Sequence, residues 1–255
     1  MNGYVDAHCH VDRYRDPRAV LRSAHNAGVT TVAVTEMPSA FQKSELLLRG
    51  TPGLRLALGV HPMRAHQAGA MELGLFRRLI DRTDYVGEVG LDFSREGIRT
   101  RDRQITVFDT ILAHPRIAEK VLSVHSRRAE AECIDRLSAA GATAILHWYS
   151  GPLGQIDRAV TAGMFFSVNP SMLCSKNGQR ILERIPQERL VTETDGPYTK
   201  IGQRIAEPKD VPWLVGQLAT HWNVEEDQAR EVVFANMVRL FEQTRRADVV
   251  AGGSE

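Results

Sequence analysis

Tyr4-Val5-Asp6-Ala7-His8-Cys9-His10 opens the chain with a short apolar run that ends in a His-x-His pair. Side chains alternate faces along a strand, so such a run points His8 and His10 the same way and sends Cys9 to the opposite face, as a small buried hydrophobe. Two neutral imidazoles at that spacing can hold one borderline cation such as zinc. By themselves they read equally well as two partly exposed histidines near a frayed terminus. The rest of the chain decides between the two.

Beyond it, short apolar runs alternate with longer amphipathic segments. A helical stretch from Pro17 to Ala27, closed by Gly28, precedes Val29 to Val34. Then come Leu54 to Val60, Tyr85 to Val89, Val121 to Val124, Thr143 to Leu146, Met164 to Val168 and Leu190 to Thr192. With the first run these are eight strand candidates. Helical patterns lie between them at Met71 to Asp81, Arg101 to Ala113, Arg127 to Ala139, Leu153 to Thr161 and Lys176 to Arg184. Near-continuous apolar strands separated by helices predict a parallel sheet. Eight such units in 255 residues predict an α/β protein built as a closed (β/α)8 TIM barrel, a fold of roughly 250 residues. No Gly-x-Gly-x-x-Gly and no phosphate loop follows a strand, so a doubly wound nucleotide-binding fold has no motif behind it. Two helices, Val211 to His221 and Glu225 to Phe241, finish the pattern. Residues 1–244 therefore read as one domain, and 245–255, small and polar, as a disordered tail.

Charged residues make up 25% of the chain and 43% is hydrophobic, enough for a substantial core without staples. A net charge of +1 supplies no whole-molecule field for a polyanion, so a nucleic-acid substrate would have to be held by local groups. The three cysteines, Cys9, Cys133 and Cys174, show no CxxC spacing, and no basic-then-apolar leader is present; a reduced cytoplasm is the expected setting. No apolar stretch reaches the ~20 residues needed to cross a bilayer.

A barrel places its functional residues at the C-terminal ends of the strands. His8 and His10 end the first strand, and Gly59-Val60-His61-Pro62 the third. Glu88 lies in Val86-Gly87-Glu88-Val89-Gly90-Leu91-Asp92 at the fourth, and His125 in Ser123-Val124-His125-Ser126-Arg127 at the fifth. His147 follows the sixth in Ile145-Leu146-His147-Trp148-Tyr149-Ser150-Gly151, and Asp195 the eighth in Thr192-Glu193-Thr194-Asp195-Gly196-Pro197-Tyr198. Five of nine histidines thus fall at one rim. Taken singly, His125 reads as a hydrogen-bonded rim residue, Glu88 as a loop cap and Asp195 before Gly-Pro as a turn former. Taken together, His8, His10, Glu88, His125, His147 and Asp195 offer four imidazoles and two carboxylates, enough for two divalent ions.

These six motifs, in this order from Tyr4 to about Phe241, resemble the TatD-type metal-dependent deoxyribonucleases, a branch of the amidohydrolase-like barrels. Within that family Ser126-Arg127-Arg128-Ala129, the tryptophan of His147-Trp148-Tyr149 and Phe166-Ser167-Val168-Asn169-Pro170-Ser171-Met172-Leu173 are most similar to the branch found in Qat-type bacterial anti-phage defence operons. The resemblance implies a two-metal hydrolase of DNA phosphodiesters, acting at single-stranded ends. His8, His10 and Asp195 would hold one ion (Zn, Mg or Mn), His125 and His147 the other, and Glu88 would bridge them, where many related barrels use a carbamylated lysine. A carboxylate between two cations offsets their mutual repulsion. Asp195 is then expected to orient the attacking water or take its proton.

His61, followed by proline, reads as a group beside the ligands or on a phosphate. Arg127 is expected either to clamp a phosphate or to be a surface arginine. Tyr198 is expected to stack on a base, bond a phosphate or pack. Two departures from the family stand out: Trp148-Tyr149 replaces the usual Cys-Phe, adding bulk at the sixth strand's mouth, and Ala206 precedes Glu207-Pro208 where relatives carry asparagine. His25, His66, His114 and His221 read as surface residues, and Cys174 as a plain loop cysteine. Two rival functions fit the same ligands: hydrolysis of a small ester, amide or phosphoester, since one barrel supports many chemistries, and a metal-binding subunit whose operon partners supply the action.

Overall fold

Strand and helix alternate along the computed structural model, which describes the backbone of residues 3–251 and side chains as far as Thr244. The elements are β1 (Tyr4–Cys9), α1 (Pro17–Asn26), β2 (Val29–Val34), α2 (Pro38–Leu48), β3 (Leu54–Leu58), α3 (Ala70–Leu79), β4 (Tyr85–Gly90), α4 (Arg101–Leu112), β5 (Val121–His125), α5 (Glu130–Ala139) and β6 (Thr143–Leu146). They continue with α6 (Leu153–Thr161), β7 (Phe165–Val168), α7 (Pro170–Cys174), α8 (Lys176–Arg184), β8 (Leu190–Thr192), the two-residue hairpin strands β9 (Lys200–Ile201) and β10 (Arg204–Ile205), α9 (Val211–Trp222) and α10 (Glu226–Ala251). The first eight strands pair in chain order, all parallel. The two ends of that sheet meet through single bonds: the Thr192 hydroxyl donates to the Val5 carbonyl (2.7 Å), the Asp195 N–H to the His8 carbonyl (2.9 Å) and the His10 N–H to the Gly196 carbonyl (2.8 Å). The expected TIM barrel is the fold observed.

Two apolar layers follow from the alternation of side chains. Val5, Ala7, Val32, Val34, Ala57, Tyr85, Val121, Ile145, Phe165 and Val191 point into the barrel, where Met237 and Leu240 of α10 plug its N-terminal end. The Asn236 amide fastens that plug by donating to the carbonyls of Gln187 and Leu190 at the foot of β8 (2.7 and 2.8 Å). A larger layer, with Val86, Leu122, Leu146 and Phe166 from the strands, packs outward against the helices.

Strict alternation would send His8 outward, because Val5 and Ala7 point in. The ladder shifts register between Asp6 and Cys9, and this bulge turns His8 into the barrel and Cys9 out to the layer that holds Leu21 and Ala33. β4 does the same between Val86 and Val89, which brings Glu88 inward. A third irregularity lies beside it. β3 stops at Leu58, and past it β2 and β4 bond to each other directly: the Thr35 N–H donates to the Gly87 carbonyl (3.1 Å) and the Glu88 N–H to the Thr35 carbonyl (3.2 Å). Gly59 leaves the wall through that contact, where a Cβ would lie 2.1 Å from the Thr35 oxygen.

One boundary differs. The last helix is expected to end at Phe241, and the backbone of α10 is helical to Ala251, inside the segment 245–255 expected as a tail. Arg245 to Ala251 holds no glycine or proline, and the glycine pair at 252–253 is the first strong breaker. Residues 252–255, the remainder of that tail, lie outside the described residues.

Candidate metal centre

Seven side chains meet inside the C-terminal rim. β1 delivers His8 and His10, β4 Glu88, the turn after β3 His61, and β5 His125; His147 and Asp195 stand just beyond β6 and β8. Glu88 is at their centre and is 1% exposed. Its Oε2 lies 3.2 Å from His10 Nε2 and 3.6 Å from His8 Nε2. Its Oε1 lies 2.8 Å from His125 Nδ1, 3.0 Å from His147 Nε2 and 3.1 Å from His61 Nε2. Asp195 Oδ1 is 3.6 Å from Nε2 of both His8 and His10, which are themselves 3.3 Å apart. His8 and His147 stack, ring centres 3.9 Å apart. All six expected ligands come together, and His61, expected beside them, stands on the same carboxylate oxygen as His125 and His147.

Most of these imidazoles are held from behind. His8 Nδ1 is 2.7 Å from the Ser123 hydroxyl, His125 Nε2 is 2.7 Å from Asp92 Oδ2, and His147 Nδ1 is 3.6 Å from Glu193 Oε2. Glu193 is fixed in turn by the Ser167 hydroxyl, the Asn169 amide (3.0 Å) and the Trp148 N–H (3.1 Å). That last bond supports an unusual backbone, since Trp148 has φ +38° and Asp195 φ +47°. Aspartate visits the left-handed region readily; a bulky tryptophan does so only when its surroundings hold it there. Asp92 and Glu193 carry no assigned role in the sequence reading, although both sit inside quoted motifs. A carboxylate just past a strand can face water, the wall or a ligand, and only packing tells which.

The electrostatics follow from burial. Burial lowers the His8 pKa to about 3, helped by His147, so this imidazole is neutral as a ligand must be. Burial pushes Asp195 up to about 7. Burial would also raise Glu88, but His61 and His147, with bonds from His10 and His125, more than offset it and hold its carboxyl well below the ordinary range. His147 is held well above the ordinary imidazole value: burial opposes protonation, while Glu88 and Glu193 prevail.

The donors fit a cation. Asp195 Oδ1 is buried and lacks a hydrogen-bond partner, yet it faces two imidazole nitrogens and sits beside Glu88. His8, His10, Glu88 and Asp195 thus offer four donor atoms whose measured separations are 3.2–3.6 Å. Ligands at about 2.0–2.1 Å on a tetrahedral ion stand about 3.3 Å from one another, so the set needs little adjustment. The second group, around Glu88 Oε1, is tighter by a few tenths of an ångström.

A cavity of about 560 Å³ opens above the cluster, walled by Glu36, His61, Arg64, Trp148 and Tyr198 among others. Tyr198 is 54% exposed and meets His10 edge-on at 5.0 Å. Trp148, the departure at the sixth strand, is part of this wall. Arg127 is not: its side chain is exposed beyond the cavity, and its carbonyl accepts from the Phe93 N–H (3.0 Å). Arg64 is the arginine at the mouth. Ala206 is buried, its carbonyl accepting from the Tyr14 hydroxyl, while Glu207 caps the turn that leads into α9. His25, His66 and His221 are exposed, and His114 is half-buried against Phe76.

The family description "TatD related DNase" matches residues 5–242. The human protein named Deoxyribonuclease TATDN3 is 30% identical over 263 residues, covering 95% of this chain and 96% of its own. The 3'-5' ssDNA/RNA exonuclease TatD of Pantoea vagans is 28% identical over 82% of this chain and 86% of its own. In fold, the chain superposes on the TatD homologue YjjV of Escherichia coli with a TM-score of 0.84 at 24% identity, covering 94% of this chain and 98% of that one. With the rim motifs matched from β1 into α10, the chain belongs to the TatD-related family of metal-dependent hydrolases that act on phosphodiester bonds.

Proposed function

We propose that this protein is a two-metal nuclease that removes nucleotides from single-stranded DNA ends. The observation that carries it is the division of Glu88: Oε2 faces His8, His10 and, beside them, Asp195, while Oε1 faces His125, His147 and His61. His8, His10 and Asp195 would hold one divalent ion, His125 and His147 the other, and Glu88 both. His61 joins the second group. When bound, a pair of Zn, Mg or Mn ions lowers the pKa of water and stabilises the attacking and leaving oxygens of an in-line phosphodiester displacement. Asp195 would orient the attacking water or take its proton. Trp148 and Tyr198 present aromatic surface at the mouth, where a terminal base can stack at a gain of about 1–3 kcal/mol. The Pantoea relative's named activity on single strands supports this choice of substrate.

The test is turnover of an end-labelled single-stranded oligonucleotide in Mg, Mn or Zn, abolished by EDTA. Glu88→Ala should lose both metal and turnover, and Asp195→Asn should lower kcat by a factor on the order of 10²–10⁴. Protein with two bound ions that leaves DNA and RNA intact yet cleaves a small ester or amide would overturn the proposal.

On the segments Ser126 to Ala129, His147 to Tyr149 and Phe166 to Leu173, we further propose membership of the Qat-type anti-phage branch, with operon-encoded proteins as partners. Co-purification from a host carrying such an operon checks it; failure to associate, with no loss of protection on deletion, would overturn it. The cysteines are unpaired, two of them buried, which supports a cytoplasmic setting. No helix among the described residues is long and apolar enough to cross a membrane.

A further inference from the structure

The wall of the catalytic cavity is also the wall of another. Glu36 stands on it, and its Oε2 accepts from Arg64 Nε at 3.0 Å and from Arg13 Nη2 at 2.7 Å. Arg13 in turn lines a second cavity, of about 540 Å³, between the turn that follows β1 and the helix α2. The Arg13–Glu36 pair is therefore the partition between the two spaces.

The second cavity is cationic. Arg13, Arg15, Arg18 and Lys43 face it against Asp12 and Asp16. Asp16 is committed, since its Oδ1 accepts from the Ala19 N–H at the start of α1 (2.9 Å). Arg18 is anchored on the Leu47 carbonyl by two bonds of 3.2 and 2.6 Å. Arg15 and Lys43 are exposed and have no ion-pair partner among the described residues. On a chain with a net charge of only +1, two unspent cations, Arg15 and Lys43, beside the guanidinium groups of Arg13 and Arg18 and next to the catalytic mouth are the kind of local grip that a polyanion needs.

We propose that this second cavity is a subsite for the sugar-phosphate backbone of the strand being degraded, holding phosphates of nucleotides that trail behind the scissile bond. The inference rests on the nuclease reading above and adds the route of the strand: out of the catalytic cavity, past Arg64 and Arg13, and down between the β1–α1 turn and α2. Arginine forks and a lysine point charge bind phosphodiesters without regard to base, as a sequence-tolerant exonuclease requires.

The test compares the full-length, metal-loaded enzyme with an R15A/K43A double variant. The substrates are a twelve-nucleotide single strand and bis(p-nitrophenyl) phosphate, a diester too small to reach the second cavity. The ratio of kcat/KM for the oligonucleotide to that for the small diester should fall roughly tenfold, through KM, and the slope of log KM against log salt should become shallower by about 1.4, two phosphate contacts' worth on a single strand. An unchanged ratio and slope would overturn the subsite, as would an equal loss of kcat on both substrates, which marks a structural defect. A wild-type enzyme that cleaves the diester but never the oligonucleotide would defeat the nuclease reading itself, and the subsite with it, before any substitution is made.

Discussion

Asp92 is the residue through which the metal centre depends on something other than its ligands. Its Oδ2 holds His125 Nε2 while its Oδ1 accepts from the Ser94 N–H (2.8 Å), and against the cost of burial the His125 bond keeps its pKa at about 2. Asp92→Asn keeps an oxygen for Ser94 and removes the charge behind His125. Metal affinity is then expected to weaken about 10–100-fold with the fold intact, measured by competition with a chelator beside a thermal melt. That the six candidate ligands converge was legible in the sequence, because each stands at the end of an apolar run, where a barrel puts its chemistry. Asp92 and Glu193 were not, since what they do depends on imidazoles far away in the chain. His61 was half legible: proline after it suggested a role beside the metal, whereas the early exit of β3 brings it onto Glu88.

At the scale of elements, bulges and one missing rung aim the site. Alternation predicted that His8 and His10 share a face, which holds, but the bulge that turns them in leaves no mark in the sequence. β3 was expected to run to Val60 and stops at Leu58, because β2 and β4 close over it; nothing in Gly59-Val60-His61-Pro62 announces a contact made by Thr35 and Glu88. Gly59→Ala tests that closure. With its Cβ set 2.1 Å from the Thr35 oxygen and 2.4 Å from the Glu88 nitrogen, the variant is expected to lose roughly 1–3 kcal/mol or more in urea unfolding and to bind metal poorly, because Glu88 must move. Helix α5 also begins later than its amphipathic pattern, at Glu130 rather than Arg127, since Arg128 has φ +58°. The short α7 and the β9–β10 hairpin are too small to carry a period.

The whole molecule depends on β1. It carries one candidate ligand and leads into a second, buries Val5 and Ala7 in the barrel, and joins the last strand to the first by accepting from Thr192 and Asp195 and donating, through the His10 N–H, to the Gly196 carbonyl. A chain beginning at Cys9 is therefore expected to show no cooperative unfolding transition by calorimetry and to retain no metal. Full occupancy and activity in that truncation would contradict this account of closure. The barrel itself was legible from the repeat of runs and helices, since period and spacing belong to the sequence. The reach of α10 was not, because how far a helix continues past its last packed turn is decided by the absence of a breaker rather than by any pattern.

That helix has a kinetic corollary. Because Met237 and Leu240 stopper the far end of the barrel, the proposed exonuclease would have to release its nucleotide through the opening by which the next terminus arrives. Steady-state assays with added mononucleotide should therefore give competitive product inhibition, with lines of double-reciprocal plots crossing on the rate axis, and a purely noncompetitive pattern would mean a separate way out.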